Sequence, residues 1–431
     1  MRSSLTSITP DALSGAIFAL EGVKHATVLL NGPTGCKFYH SAIADSQLIR
    51  QDDFDPLSHP ETWYFGQPQV PCTYLDNGDY VYGSADKLTE ALRFHRDHVR
   101  SDLICVVNSP GASLIGDDLQ GIVRQVMGDA PVVALETTGF SSDVCHGHEK
   151  ASIALMETLL KDVEPYCGCG DLTVNLLGLS LFQRNLPGDV AELRRLLGLM
   201  GVRVNCALAA DCTVDEVRAL PRAALNVVVR PEYGLGQAAW LKERFGMPSY
   251  VCRDAVIGFA ATERLVRDLA QRLSADAAPA LADIERARAT AYAHISRLNS
   301  ITGKPQGVPF SAEGDWSELL GYLEFLVDYL GMLPVCLAPT NPGADACAPD
   351  VRRRLGELGL ARVLEEDVLD APASVVLASG NTLAQLKVLG REVVGIETAL
   401  PTLGYINVIP KTFTGVRGAL QLLELVLNAV V

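Results

Sequence analysis

Cys36 lies in the segment GPTGCKFYH (residues 32–40), which follows the apolar run ATVLL. The run is typical of a buried strand, and the glycines and Pro33 after it are typical of a loop. A thiol in such a loop, beside the cation Lys37, is more typical of a metal ligand or a reactive group than of a core residue. We therefore expect this loop to take part in chemistry.

Other patterns in the chain carry weaker chemical signals. CHGHEKAS (145–152) combines cysteine and histidine, but its neighbouring side chains face different sides of a helix, which is poor geometry for one metal ion. CGCG (167–170) has no matching second cysteine pair, and we interpret it as a hinge. TGKPQG (302–307) lacks the spacing of a phosphate-binding loop, and the aspartates of GDD (116–118) are explained as helix caps.

The elements that must position Cys36 follow an alternating pattern. Strand-like apolar runs alternate with helix-period segments almost throughout, and this rhythm restarts twice, which predicts an α/β fold of three Rossmann-like, doubly wound parallel-sheet domains. The predicted parts are residues 1–168, 169–277, a helical linker at 278–303, and 304–431. Ligands of such sheets bind beyond the carboxyl ends of the strands, so the interdomain cleft is the expected substrate site.

Composition limits the function classes. The 431 residues carry a formal net charge of −15, which argues against nucleic acid or an anionic membrane as a partner. The 11 irregularly spaced cysteines do not resemble a disulfide framework. No apolar stretch is long enough to span a membrane and the first residues do not resemble a signal peptide, so we expect a soluble, cytoplasmic protein.

Several segments together resemble the nitrogenase component 1 family, which includes nitrogenase-like reductases. They are GAIFALEGVKHATVLLNGPTGC (15–36), CTYLDNGDYVYGSADKLTEAL (72–92), SPGASLIGDDLQGIV (109–123), TTGF (137–140), LTVNLLGLS (172–180) and the closing GVRGALQLLE. The resemblance covers nearly the whole chain in order. It implies a dimer or paired dimer, an iron–sulfur cluster at the subunit interface, and reduction by a separate ATP-hydrolysing iron–sulfur reductase.

The resemblance also indicates cluster ligands. Of the three cysteine positions that bind nitrogenase's large interface cluster, this sequence has Asp11, Cys36 and a position near Pro110. Cys72 precedes a segment where cluster-binding relatives can also carry a cysteine. Cys36 and Cys72, doubled across a two-fold interface, would supply four thiolates for a shared 4Fe–4S cluster. Asp11 is a possible oxygen ligand or a carboxylate supporting the site, and the alternative for Cys72 is packing under a loop.

The resemblance argues against dinitrogen reduction. The cysteine and histidine that hold the nitrogenase cofactor have no counterpart here, and Arg230 stands about where that cysteine would be, so no FeMo-type cofactor is expected. Arg230 suits an anionic organic substrate, with domain packing as the alternative. His148 matches the histidine that serves relatives as a proton donor and is the candidate catalytic general acid. Its alternative is an exposed histidine at the start of a helix.

These features predict the catalytic component of a nitrogenase-like two-component reductase. Relatives without the nitrogenase cofactor act on tetrapyrroles: protochlorophyllide, chlorophyllide and a nickel sirohydrochlorin diamide. The small-molecule substrate here is therefore expected to be tetrapyrrole-like or unknown. The assembly is a homodimer or a heteromer with a paralogous component 1 subunit. Two alternatives are a scaffold for cofactor assembly and a noncatalytic partner subunit.

Overall fold

The computed structural model describes residues 10–36, 70–136, 142–164, 172–402, 404 and 406–431. The predicted hinge at 167–170 and the TTGF segment therefore lie outside the described residues. Three separate parallel sheets organise the rest, with helices between consecutive strands. This architecture confirms the predicted α/β fold class. Each sheet falls within one of the three predicted domains, while the exact boundaries remain a prediction.

The first sheet holds the cysteine loop. Its strands β1 (Ala26–Asn31), β2 (Leu103–Asn108) and β3 (Val132–Leu135) are parallel and lie in chain order. The helices around it are α1 (Ala12–Glu21), α2 (Asn77–Tyr82), α3 (Ala85–His98), α4 (Pro110–Ile115), α5 (Leu119–Met127) and α6 (Val144–Leu160). All six residues of β2 are buried, as expected for a strand covered on both faces.

The second sheet has the strand order β5-β4-β6-β7. Its strands are β4 (Thr173–Leu177), β5 (Arg203–Ala207), β6 (Leu225–Val228) and β7 (Ser249–Val251). Its helices are α7 (Leu186–Leu199), α8 (Val214–Arg218), a 3₁₀ turn (Leu220–Arg222), α9 (Pro231–Phe245) and α10 (Gly258–Leu273). The chain order reverses between β4 and β6, which is the switch point at which doubly wound sheets open a crevice.

The third sheet repeats this plan. Helix α11 (Ala278–Thr302) leads into β8 (Pro309–Gly314), β9 (Leu333–Pro339), β10 (Val375–Ser379) and β11 (Val394–Ala399), in the order β11-β10-β8-β9. The remaining helices are α12 (Trp316–Tyr322), which continues as a π-helix (Leu323–Tyr329), α13 (Ala348–Glu357), a 3₁₀ turn (Ala361–Leu364), α14 (Gly380–Val388) and α15 (Gly415–Val430). The order again reverses, here between β8 and β10.

Side-chain caps set several of the helix starts. Asp143 accepts a hydrogen bond from the His146 amide and so sets the start of α6 at Val144. Asp118 caps α5 as expected. Asp117 instead accepts from the amide and hydroxyl of Ser84, 2.7 and 2.8 Å away, and so joins α3 to the loop before α5.

The second and third sheets share one continuous apolar core. Helix α15 packs against α7, α10 and α11 and thus covers the second domain as well as its own sheet. Helix α6 pairs with α1 and also contacts α9, which links the first domain to the second. Among the described residues, no helix combines the length and the apolar character that crossing a membrane requires.

Candidate functional site

The two predicted cluster cysteines lie at one edge of the first sheet. Cys36 lies five residues after the end of β1, and its amide donates to the Pro33 carbonyl over 3.2 Å. The segment around Cys72 runs alongside the end of β1: the Leu30 amide donates to the Pro71 carbonyl, and the Thr73 amide donates to the Leu30 carbonyl. Backbone pairing therefore brings two cysteines that are distant in sequence to the same strand end.

Asp11 and Cys72 are close enough to Cys36 to act electrostatically on its thiol. Burial raises the pKa of the Cys36 thiol, and the negative charges of Asp11 and of the Cys72 thiolate raise it further. Cys36 is half-buried and Cys72 is buried. Both thiols are free. A cation bound between these groups would relieve their repulsion and favour the thiolate forms, because metal binding and thiol deprotonation are linked.

Tyr80 belongs to the same cluster of side chains, although the sequence analysis did not single it out. Burial raises the pKa of its phenol, the Cys36 thiolate raises it further, and a hydrogen bond with Ser109 lowers it. Ser109 caps α4 at the position next to Pro110. The hydroxyl groups of Tyr80 and Ser109 thus lie beside the thiols. Ser109 is next to Pro110, near which the resemblance to nitrogenase implies a third cysteine position.

The starts of helices α1 and α6 meet at Asp11, the carboxylate that acts on Cys36. Asp11 accepts hydrogen bonds from the Ser14 amide and hydroxyl, both at 3.0 Å, and thereby caps α1. Its backbone also forms a bridge with Asp143, the cap of α6. The helices approach so closely that a Cβ added at Gly15 would overlap the Val144 carbonyl, and one added at Gly147 would overlap the Ala12 carbonyl. Close helix packing therefore fixes the position of Asp11.

The two helices beside Cys36, α2 and α4, carry exposed apolar side chains. Helices α2 and α4 contact each other, and the ring of Tyr80 packs on Gly111. Beside this contact, Tyr82 is 91% exposed, Leu114 88% and Val81 73%. Large apolar side chains grouped on a surface are typical of an interaction site. We call Val81, Tyr82 and Leu114 the α2–α4 patch.

His148 lies in the interior rather than at the surface. Its ring is fully buried on α6 and makes a perpendicular contact with the Tyr233 ring, with centroids 5.4 Å apart. Burial lowers its pKa to about 4, although backbone groups of Leu179 and Tyr233 oppose the shift. The imidazole is therefore neutral near pH 7. The exposed-histidine alternative is wrong, and the general-acid role remains a prediction.

Arg230 lies at the switch point of the second sheet, two residues after the end of β6. It is 4% exposed, and its guanidinium forms an ion pair of 2.6 Å with Glu318 from α12 of the third domain. Although burial lowers the pKa of Arg230, the charges of Glu318 and Asp189 outweigh this effect and raise it. The predicted substrate-binding arginine is thus already paired with a carboxylate in this structure.

Acidic residues surround Arg230. Burial, together with the neighbouring charges of Glu318 and Glu232, raises the pKa of Asp315 to about 7. Asp315 accepts hydrogen bonds from Thr340 (2.9 Å) and Asn341 (2.7 Å), and Glu232 accepts from the amide and hydroxyl of Ser317. The cleft between the second and third sheets therefore holds buried carboxyl groups, and the pKa values of Asp315 and Glu232 are raised there.

The two cysteines of one chain suit an iron–sulfur cluster shared between two chains better than a metal ion held by one chain alone. Within the described ranges, no group of three or more His, Cys, Asp or Glu side chains is arranged to hold a metal ion. Iron–sulfur clusters are held by thiolates, and a 4Fe–4S cluster requires four such donors. One chain thus offers half of the thiolates that such a cluster needs.

Sequence reasoning did not identify Tyr80, Ser109, Glu318 or Asp315 as site residues. Tyr80 stands in the same quoted segment as Cys72, and its nearness to that cysteine was the available signal. Glu318 and Asp315 carried no comparable signal, because they lie far from Arg230 in the sequence and meet it only across two domains.

The fold and the site together define a three-sheet α/β protein with a thiol pair at one sheet edge and a buried, charged cleft between domains. The sequence model of the family described as "Nitrogenase component 1 type Oxidoreductase" matches residues 12–431. The chain belongs to this oxidoreductase family, as its motifs indicated.

Individual relatives agree with this membership. A subunit of the light-independent protochlorophyllide reductase of Prosthecochloris aestuarii is 27% identical over 62% of this chain and 51% of its own length. The nitrogenase molybdenum-iron protein alpha chain of Methanothermobacter thermautotrophicus is 28% identical over 55% of this chain and 50% of its own length. The matches thus span about half the length of these curated relatives.

A solved structure also resembles the fold. The protein titled "Nitrogenase Cp1 at pH 6.5" superposes with a TM-score of 0.77 at 17% identity, covering 100% of this chain and 94% of that chain. At this identity the likeness concerns the fold, and it confirms the predicted nitrogenase-like arrangement of three α/β domains.

Proposed function

We propose that this protein is the catalytic component of a nitrogenase-like two-component reductase. In this proposal, Cys36 and Cys72 of two protomers hold one 4Fe–4S cluster, and a separate ATP-hydrolysing iron–sulfur reductase supplies the electrons. When bound, the cluster would supply one-electron storage. The observation that carries the proposal is the convergence of Cys36, Cys72 and Asp11 at one sheet edge beside an exposed apolar patch.

The α2–α4 patch supports a shared site. Two thiols of one chain leave half of a four-thiolate cluster to be completed, and a two-fold axis beside them would supply the other two. Burial of large apolar side chains drives such association, and the exposed patch adjoins the thiols. Both a second copy and a paralogous chain would meet this requirement.

The cleft beyond α6 is the proposed place of substrate reduction. Arg230 lies at the switch point, where ligands of doubly wound sheets bind. An anionic substrate would compete with Glu318 for the guanidinium, which forms paired hydrogen bonds with carboxylates. We propose His148 as the proton donor. A negative charge entering the cleft would raise the pKa of His148 from about 4 and favour the protonated ring.

The substrate class is proposed from the relatives. Several of them are named as parts of light-independent protochlorophyllide reductases, which supports an organic, tetrapyrrole-like substrate for this chain. In the sequence segment around Arg230, no cysteine or histidine is present to coordinate a larger metal cofactor at that position.

Iron counting after anaerobic reconstitution tests the cluster proposal. We expect about four irons per two chains and an EPR signal on reduction, both abolished in Cys36→Ala and in Cys72→Ala. Cys105→Ala is the matched control, because Cys105 is a buried thiol of the same sheet. Iron content that is unchanged in the Cys72 variant would contradict the proposal.

A noncatalytic partner role is the alternative with support of its own. The relatives carry names that mark them as a single subunit of a reductase and as the alpha chain of a nitrogenase protein. The Arg230–Glu318 pair also leaves the guanidinium already neutralised. A noncatalytic partner would bind no iron alone and would acquire it only after a paralogous chain is added.

A further inference from the structure

The three strands of the first sheet each end at a polar side chain. Asn31 is the last residue of β1, Asn108 is the last residue of β2, and Glu136 directly follows β3. The two asparagines are paired across their strands and are buried, with 1% and 2% of their surface exposed. Glu136 lies at the surface. The function proposed above gives none of these three residues a role.

Hydrogen bonds connect these side chains to the residue that follows Cys72. The Thr73 hydroxyl donates to Asn31 Oδ1 over 2.8 Å. Asn31 Nδ2 donates to Asn108 Oδ1 over 2.9 Å, and Asn108 Nδ2 donates to both carboxylate oxygens of Glu136, each at 2.9 Å. We call Thr73, Asn31, Asn108 and Glu136 the edge network. Its hydrogen bonds all run in one direction, from Thr73 to Glu136.

The carboxylate of Glu136 fixes this direction. An ionised carboxylate only accepts hydrogen bonds, so Asn108 presents its NH₂ group to Glu136 and its oxygen to Asn31. Asn31 meets that oxygen with its own NH₂ group, and its remaining oxygen faces the Thr73 hydroxyl. Hydrogen bonds to a charged acceptor are stronger than neutral ones. The exposed carboxylate therefore orients groups that are buried behind it.

The inner end of the edge network joins the two segments that carry the cysteines. Besides donating to Asn31, the Thr73 hydroxyl accepts from the Gly32 amide over 3.0 Å. Gly32 begins the GPTGC loop that leads to Cys36, and Thr73 directly follows Cys72. The orientation of the Thr73 side chain thus influences how the two cysteine-bearing segments lie relative to each other.

We infer that Asn31, Asn108 and Glu136 are positioning residues of the cysteine edge. They orient the Thr73 hydroxyl, which connects the two cysteine-bearing segments. Hydrogen bonds behind metal ligands commonly set the orientation of those ligands. The inference rests on the proposed function, since it is the shared cluster that requires the thiols at a fixed separation, but the edge network itself forms without any bound group.

Hydrogen–deuterium exchange of the full chain without a cluster tests this inference. The Leu30, Gly32 and Thr73 amides report on it, because all three donate between the cysteine-bearing segments. In Glu136→Ala we expect them to exchange about tenfold faster, since a charge-assisted hydrogen bond is lost. Cys72 should also react faster with iodoacetamide. Glu136→Gln keeps an acceptor and should restore most of the protection.

A reversal of the hydrogen-bond direction separates positioning from ordinary stabilisation. Asn31→Asp removes the NH₂ group that faces Asn108, so two oxygens oppose each other and exchange should again rise about tenfold. Adding Glu136→Gln allows the Asn108 amide to turn over, because the new glutamine can donate to its oxygen. We expect the double variant to exchange more slowly than Asn31→Asp alone.

Asn226→Asp is the matched control. Asn226 is a fully buried asparagine of the second sheet that accepts a hydrogen bond from Asn175 over 2.9 Å. Its replacement should leave exchange at the cysteine edge as in the wild type, with or without Glu136→Gln.

Exchange and Cys72 reactivity that are unchanged in Glu136→Ala would overturn the inference. So would a double variant that exchanges as fast as Asn31→Asp alone, because the direction of the hydrogen bonds would then have no effect. Glu136 is exposed, so its two variants decide the question even where Asn31→Asp does not fold. The measurement needs no cluster, so its failure and the failure of the proposed reductase function are separate results.

Discussion

At the scale of single residues, the charged cleft and the cysteine edge differ in how they accommodate buried charge. Arg230 is neutralised by Glu318, so its ion pair is complete within the chain. At the cysteine edge, by contrast, burial raises the pKa of the Cys36 thiol, and the negative charges of Asp11 and Cys72 raise it further. Groups of like charge that are brought together favour a cation between them, which supports the proposed cluster site in the first domain.

Asp315 predicts a pH dependence of stability. Its pKa is raised from 3.8 to about 7 in the folded protein, first by burial and then by neighbouring carboxylates. Between about pH 4 and pH 7 the folded state holds a proton that the unfolded state has released, so the free energy of unfolding falls as the pH rises through this window. We expect Asp315→Asn, measured by urea unfolding at several pH values, to lessen this fall.

The matched control is Asp129→Asn, which changes an exposed carboxylate of the first domain. It should leave the fall in stability unchanged. An Asp315→Asn profile parallel to that of the wild type across this same pH window would show that Asp315 does not hold the proton.

At the scale of elements, the pairing of α1 with α6 holds the cysteine edge in register. Gly15 and Gly147 permit a backbone approach at which any Cβ would overlap a carbonyl of the other helix. The helices carry Asp11 and Asp143 at their starts, so a wider spacing would move the carboxylate that influences Cys36. The packing of α1 against α6 thus determines where Asp11 lies relative to Cys36.

Gly15→Ala should destabilise the protein by about 1–3 kcal/mol, because the added methyl group forces the two helices apart. Gly198→Ala is the control: Gly198 is a helical glycine with open space around it, and alanine there should be neutral or stabilising by up to about 1 kcal/mol. Urea unfolding of the two variants measures the difference. Equal midpoints would contradict the proposed close packing.

Sequence patterns predicted the elements better than the contacts between them. Alternating apolar runs and the family motifs were sufficient to predict three α/β domains, because the periodicities of strands and helices are local properties of the sequence. The partner of Arg230 was not predictable, since Glu318 meets it only after two domains pack. His148 resembles a helix-start residue in the sequence, and its burial depends on Tyr233 from the second domain.

At the scale of the whole molecule, assembly is the property that the described surface predicts. The α2–α4 patch leaves Tyr82 and Leu114 almost fully exposed beside the thiol pair. Exposed apolar surface that is contiguous is typical of an interaction site. The patch and the thiols therefore belong to one prediction about how chains meet.

Leu114→Glu combined with Tyr82→Glu should weaken association, because two charges would enter an apolar contact. Light scattering coupled to size-exclusion chromatography measures the mass, and reconstituted iron content should fall with it. Ile301→Glu places a charge at a similarly exposed apolar site on α11 and serves as the control. A double variant with the assembly state and iron content of the wild type would exclude the patch as the contact.

Helix α15 has a consequence for synthesis on the ribosome. Its buried face completes the core against α7, α10 and α11, yet about 140 residues separate the end of α10 from its start. At ordinary rates of translation this delay is on the order of ten seconds. During that time the nascent second domain exposes the apolar groove that α15 later covers. We expect chaperones that act at the ribosome exit to bind the unfinished chain there.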